Sequence, residues 1–177
     1  FAFSTENWLR EEGEVRDLIS LFFDALEEQT PELREEKVKL NFIGDISRFN
    51  KKLIKQIEKS KKLTEEYDPK LNLIIAASYG GKWDIINAIK KFHADKNNKE
   101  LNENSLENYL ETKSFPNPDL IIRSGGEKRL SNFYLWQSSY SELFFSDKLW
   151  PDFNVKDFDI ALEDFRSRKR KFGVETG

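Results

Sequence analysis

The segment from Leu71 to Tyr79 constrains this chain most. Leu73-Ile74-Ile75-Ala76-Ala77 is unbroken apolar sequence, the pattern of a strand covered on both faces, as in parallel sheets flanked by helices. Gly80-Gly81 ends it, and Asp84-Ile85-Ile86-Asn87-Ala88-Ile89 opens a helix. The same alternation appears on either side. From Glu14 to Leu26, Val15, Leu18, Ile19, Phe22, Ala25 and Leu26 recur at helical spacing, Leu21 and Phe23 widen the stripe, and Pro31 reads as a stop. Val38 to Gly44 alternates as a strand, with Val38, Leu40 and Phe42 on one face and Ile43 on the other. Asn50 is placed to cap a helix that turns Leu53, Ile54 and Ile57 inward. Leu106, Tyr109 and Leu110 suggest a short helix, Asp119 to Arg123 a strand, and Phe158, Ala161, Leu162, Phe165 and Phe172 a last helix; His93 to Asn104 is a polar surface connection. Strands and helices joined this closely predict one α/β domain over residues 1–177, built on a mostly parallel sheet flanked by helices. In such sheets ligands gather outside the carboxyl ends of the strands.

Composition narrows the chemistry. The 177 residues contain no Cys and one His, which excludes disulfides, thiolate nucleophiles, Cys-bound zinc and any two-histidine mechanism. A net charge of -3 argues against nucleic acid as a partner, because neutralising phosphates leaves a basic excess. No apolar run approaches the ~20 residues that span a bilayer. Carboxylates, arginines, hydroxyls, amides and a hard metal remain. The chain contains no Met and opens on Phe1-Ala2-Phe3-Ser4, which reads as part of a strand, so residues are expected upstream of Phe1.

Three polar clusters fall where strands end. The sharpest runs from Arg123 through Gly125-Gly126 and Arg129-Leu130-Ser131 to Asn132. Its glycines permit a tight bend, and Arg123, Arg129 and the Ser131 hydroxyl can converge on one anion, since arginine forks suit the paired oxygens of a diphosphate. A solvated turn is the plain alternative. The second cluster, Ser4-Thr5-Glu6-Asn7-Trp8-Leu9-Arg10, supplies hydroxyls, an amide, a carboxylate and a cation; read structurally, it is a helix cap with Trp8 as core anchor. The third, Ala76 to Asp84, lacks the spacing of a nucleotide-binding loop, and its small residues suit a cavity wall or helix packing. Glu142 precedes an apolar run and is either a surface carboxylate or a ligand for Mg²⁺. Arg166, Arg168, Lys169, Arg170 and Lys171 read as a solvated basic helix end.

Together, Phe1–Arg10, Phe42-Ile43-Gly44-Asp45, Ala76–Ile85, and Asp119–Arg123 running through Ser131-Asn132-Phe133 to Trp136-Gln137, Tyr140, Glu142 and Trp150-Pro151-Asp152-Phe153 resemble the cis-prenyltransferase family, of the bacterial undecaprenyl diphosphate synthase type. The resemblance implies Mg²⁺-dependent condensation of isopentenyl diphosphate onto an allylic diphosphate such as farnesyl diphosphate, giving a polyprenyl diphosphate carrier for cell-wall synthesis. It places Arg123, Arg129, Leu130 and Ser131 on the diphosphate of isopentenyl diphosphate. Ser4, Thr5, Glu6, Trp8 and Arg10 border the substrates, and Asn7 falls at the proton acceptor's place. Glu142 would bind Mg²⁺, across the interface of a homodimer. Ala2, Leu71 and Ala77 would lie along an apolar tunnel for the growing chain, walled by the stripe from Val15 to Leu26 facing Leu73 to Ala77. A cytoplasmic enzyme with transient membrane-surface contact for product release follows.

Two departures stand out. The family's N-terminal Asp-containing, diphosphate-binding segment and its strand are expected before Phe1, and Lys128 occupies a place where the family often has His, removing a metal ligand. A non-catalytic partner subunit of such an enzyme is the alternative, and retention of Arg123, Arg129, Ser131 and Glu142 favours the enzyme.

Overall fold

The computed structural model describes residues 1–97 and 100–170. Phe172 and Lys171, expected on the last helix and its basic end, lie outside them. The chain falls into two compact units, Phe1–Lys113 and Ser114–Gly177.

In the first unit, β1 (Phe3–Ser4), β2 (Val38–Ile43) and β3 (Leu71–Tyr79) form a parallel sheet in the order β1-β3-β2. Helices α1 (Glu12–Glu35), α2 (Lys51–Leu63), α3 (Gly81–Ala94) and the short α4 (Glu103–Glu107) complete it, with 3-10 turns at Thr5–Leu9 and Ile46–Arg48. Every strand pair runs parallel, as the alternation of strand and helix predicts. Asn50 caps α2 as expected, its side chain accepting the Leu53 N–H at 2.9 Å. The core gathers Phe3, Leu26, Phe49, Leu53, Ile57 and Ala77.

Two expectations need correction. Pro31 does not stop α1, which continues to Glu35. Proline removes one helix hydrogen bond, but α1 is held against α2 across this turn: Leu26 is buried, and the buried Thr30 hydroxyl donates to the Leu26 carbonyl and lies 2.8 Å from the Ser60 hydroxyl. Tertiary packing outweighs local propensity here. Secondly, β3 is covered only in its carboxyl half. Leu71 is 58% exposed and Leu73 37%, while Ala76 to Tyr79 are buried. The reason is the register: β2 pairs along β3 from Leu71, whereas β1 reaches only Ala77 and Tyr79. The stripe of α1 packs on α2 and β2, its apolar side chains mostly half-buried, and it shares one core with Ala77 and Ile75 of β3.

The second unit holds β4 (Leu120–Arg123) and β5 (Glu142–Phe145), a parallel pair, followed by a 3-10 turn at Trp150–Asp152 and α5 (Val155–Ser167). Strand β5 was read only as an apolar run. Asn154 caps α5, and Asp157 returns a bond to the Asn154 N–H while pairing with Lys148 at 2.7 Å. The basic end of α5 is not simply solvated. Arg168 reaches Glu142 at 2.7 Å and Asp164 at 2.5 Å, and Arg170 reaches Asp119 at 2.5 Å. Among the described residues no helix is long and apolar enough to cross a membrane.

Candidate active site

The carboxyl ends of β1, β2 and β3 bring the second and third clusters together. After β2 the chain turns at Gly44, with φ of +114°, where a Cβ would run into the Ala77 carbonyl; only glycine tolerates that approach. The turn lets the Asp45 N–H donate to the Ser78 carbonyl at 3.1 Å. Ser78 is itself left-handed, with φ of +52°, and fully buried. Its hydroxyl accepts the Trp8 indole N–H at 2.9 Å, a contact between residues 70 apart in sequence. Trp8 packs on Phe3 and Phe49 at centroid distances of 4.8 and 5.3 Å, and the Arg48 guanidinium lies 4.7 Å over its face. Arg48 and Ser78 were not among the expected site residues. Both depend on contacts between distant segments, although Phe42-Ile43-Gly44-Asp45 marks the strand end that delivers Arg48.

Within the Ser4–Arg10 cluster the local bonds are structural. Ser4 and Asn7 form a reciprocal cap: the Asn7 N–H donates to Ser4 Oγ at 3.2 Å, and the Ser4 N–H donates to Asn7 Oδ1 at 2.7 Å. The Thr5 hydroxyl donates to Glu6 at 2.9 Å, and Arg10 pairs with Glu14. Asn7 therefore presents an amide whose oxygen is already engaged, and an amide has little basicity.

In the second unit, Arg123 closes β4 and its guanidinium donates to the Ser131 hydroxyl at 2.7 Å and to the Arg129 carbonyl. The fold thus brings Arg123 and Ser131 together. Arg129 points away to pair with Glu127 and is exposed, with Leu130 between it and Ser131. Gly125 and Gly126 have φ of +96° and +76°, and Ser131 and Asn132 are left-handed as well. The glycine amides are not free to cradle an anion. Gly125 N–H donates to the Lys148 carbonyl at 2.7 Å and Gly126 N–H to Ser146 at 2.9 Å, so the grip falls to side chains.

Glu142 stands at the other end of this sheet. The register pairs it with Leu120, and Arg123 with Phe145, a separation of about 10 Å along the strands. Its carboxylate accepts from Arg168, whose pKa is raised above its ordinary value first by Glu142 and then by Asp164. No group of three or more acidic or histidine side chains able to hold a metal gathers among the described residues. A hard cation needs several oxygen ligands, and the described residues alone do not assemble a set for Mg²⁺. Of the tunnel candidates, Ala77 is fully buried in the core, Ala2 is exposed beside it with its N–H on the Ala76 carbonyl, and Leu71 lies at the far end of β3.

Residues 1–173 match the family described as "Putative undecaprenyl diphosphate synthase". An isoprenyl transferase of Neisseria meningitidis is 48% identical over 98% of this chain and 69% of its own length. A ditrans,polycis-undecaprenyl-diphosphate synthase of Coxiella burnetii, (2E,6E)-farnesyl-diphosphate specific, is 46% identical over 98% of this chain and 75% of its own. Among solved structures, a probable undecaprenyl diphosphate synthase from Campylobacter jejuni superposes with a TM-score of 0.89 at 38% identity, covering 98% of this chain and 81% of that one. Lavandulyl diphosphate synthase from Lavandula x intermedia, in complex with dimethylallyl diphosphate, superposes at 0.91 and 36% identity, covering 98% and 77%. A strand-end arginine seated on a serine, within a chain matched along almost its whole length, thus belongs to a cis-prenyltransferase of the undecaprenyl diphosphate synthase family.

Proposed function

We propose that the chain extends an allylic diphosphate, farnesyl diphosphate, by successive isopentenyl diphosphate units in cis geometry. The product is a long polyprenyl diphosphate of the undecaprenyl type, a lipid carrier for cell-wall synthesis. The observation that carries this reading is Arg123 held against Ser131 at the carboxyl end of β4. A guanidinium fork matches two oxygens of a diphosphate, and the hydroxyl beside it adds a further donor. Arg129, exposed on the same loop, supplies a second cation when it leaves Glu127, and Leu130 contributes backbone between them. Such donors hold isopentenyl diphosphate while its double bond meets the allylic carbon, and charge neutralisation lowers the barrier to diphosphate departure.

Ser4, Thr5, Glu6, Trp8 and Arg10 border the substrates in this reading. Asn7 is a positioning residue that shapes the turn, and the proton lost from the new chain goes to a more basic oxygen, such as that of a diphosphate. The hydrocarbon runs past Ala2, which precedes β1, and Ala77 on β3, toward Leu71, about 20 Å along the strand. Magnesium is the ion the family implies, and Glu142 is the described carboxylate placed to help hold it. The position of Glu142, a strand length from Arg123, supports a homodimer in which this carboxylate serves the neighbouring copy. Diphosphate substrates and a hydrocarbon product support a cytoplasmic enzyme that touches the membrane surface for release.

The test is incorporation of labelled isopentenyl diphosphate onto farnesyl diphosphate by the complete protein, with and without a chelator, products separated by thin-layer chromatography. A ladder of long products is expected. A complete, folded protein that incorporates no label would refute the enzyme reading and leave the partner-subunit alternative.

A further inference from the structure

Left-handed backbone is concentrated in one short stretch of the second unit. Ser131 has φ of +48°, Asn132 of +60° and Tyr134 of +46°, three non-glycine residues within four positions. Such a conformation crowds an ordinary Cβ against the backbone, whereas glycine adopts it freely and asparagine more readily than most. The Phe133 N–H donates to the Leu130 carbonyl at 3.1 Å, so Leu130 to Phe133 is a tight turn with Ser131 and Asn132 at its two central places. Positive φ at both is the signature of the mirror-image type I′ turn, where glycine, asparagine and aspartate dominate. Asn132 suits that turn, and Ser131 has its hand imposed. The chain beyond is fastened: the Phe133 and Tyr134 rings stack at 4.2 Å, and the Tyr134 carbonyl accepts the Ser138 N–H at 3.0 Å.

The hand of this turn decides where the Ser131 hydroxyl lies. Reversing it mirrors the backbone but not the chirality of the residue, so the same serine would project to the other side of the loop. In the hand observed, Ser131 Oγ accepts from Arg123 at 2.7 Å, and the same guanidinium donates to the Arg129 carbonyl just before the turn. Backbone strain persists only where the surrounding structure enforces it, and it collects at functional sites. We propose, on the reading that Arg123 and Ser131 hold isopentenyl diphosphate, that Asn132 is the positioning residue of that grip. Its tolerance of left-handed backbone keeps the turn mirror-imaged and Ser131 facing Arg123 before substrate arrives. Asn132 acts through its φ and not by touching the ligand. A chain that leaves this hand must recover it to bind, so apparent affinity follows the fraction of molecules that hold it.

The experiment compares Asn132→Gly, Asn132→Ala and Asn132→Val in the complete protein. Glycine and alanine both delete the side chain, and only glycine keeps the left-handed conformation without penalty. In calorimetric titrations with isopentenyl diphosphate, Asn132→Gly should stay within about threefold of wild type and Asn132→Ala should bind about 5- to 30-fold more weakly. Asn132→Val should be weaker still, because a β-branched residue resists positive φ most. KM for isopentenyl diphosphate should rise in the same order, while kcat at saturation changes less than about threefold, since bound substrate draws the turn back. Farnesyl diphosphate should bind all three variants as it binds wild type, with circular dichroism and urea midpoints close to wild type. Equal losses in Asn132→Gly and Asn132→Ala would assign the residue a side-chain contact and overturn the proposal. Unchanged affinity in Asn132→Val, or a fall in stability or kcat with KM unmoved, would overturn it as well. A folded wild-type protein that binds no isopentenyl diphosphate would remove the reading of Arg123 and Ser131 and this proposal with it.

Discussion

Replacing Arg123 by Ala separates the anion-site reading from a structural one. In the free chain the guanidinium bonds the Ser131 hydroxyl at 2.7 Å and the Arg129 carbonyl. Both bonds are exposed, so water can substitute, and a net hydrogen-bond contribution of about 1 kcal/mol or less is the expected stability loss. Holding a diphosphate is different. A hydrogen bond to a charged group contributes about 1.5–3 kcal/mol, and each 1.4 kcal/mol is tenfold in affinity, so isopentenyl diphosphate should bind roughly 10- to 150-fold more weakly. Farnesyl diphosphate, recognised elsewhere, should lose less than about threefold by the same arithmetic. Arg123→Lys keeps the charge but not the fork and should fall between. Calorimetric titration of each substrate into wild type and variants measures this directly, with urea unfolding as the control. Equal losses for the two substrates, or a large fall in stability with unchanged binding, would refute the reasoning.

Other perturbations test the frame. Gly44→Ala forces a side chain into a left-handed position against the Ala77 carbonyl, and urea unfolding should show a loss of about 1–3 kcal/mol or more. Ala77→Leu overpacks a fully buried site between β1 and the core, with an expected cost of about 1–3 kcal/mol and shorter products on thin-layer chromatography; an unchanged ladder would contradict a growing chain beside Ala77. The Asp157 carboxyl is held below its usual pKa first by Lys148 and then by the Asn154 N–H. Its contribution is therefore complete above the unfolded carboxyl value, ~3.9, and is lost as pH falls through the lower folded value. Asp157→Asn should lower the unfolding midpoint at pH 7 and converge with wild type in acid.

What could be read from sequence tracked the range of the contacts involved. Asn50 was recognisable because its cap lies three residues away. Arg123 and Ser131, eight apart across a glycine bend, were recognisable for the same reason. Pro31 misled because Thr30 is fastened to Ser60, thirty residues later, and local rules do not see that partner. The amino half of β3 looked covered because its composition matches a buried strand, yet the strand that pairs its far edge is two residues long. Strand β5 is four residues with a partner over twenty positions earlier, too short for periodicity to decide. Glu142 was singled out correctly as unusual, but Arg168, its counter-ion, is 26 residues away and was read as facing solvent.

The backbone bonds of the twin glycines have a mechanical corollary. Gly125 and Gly126 are laced to Lys148 and Ser146, and the Lys148 side chain is moored to Asp157 at the head of α5. The arc presenting Arg123 is thus tethered to a helix start more than thirty residues downstream. Acid or mutation that slackens that mooring should let the arc drift, so a change made at the root of α5 would be felt as blurred substrate grip rather than as simple unfolding.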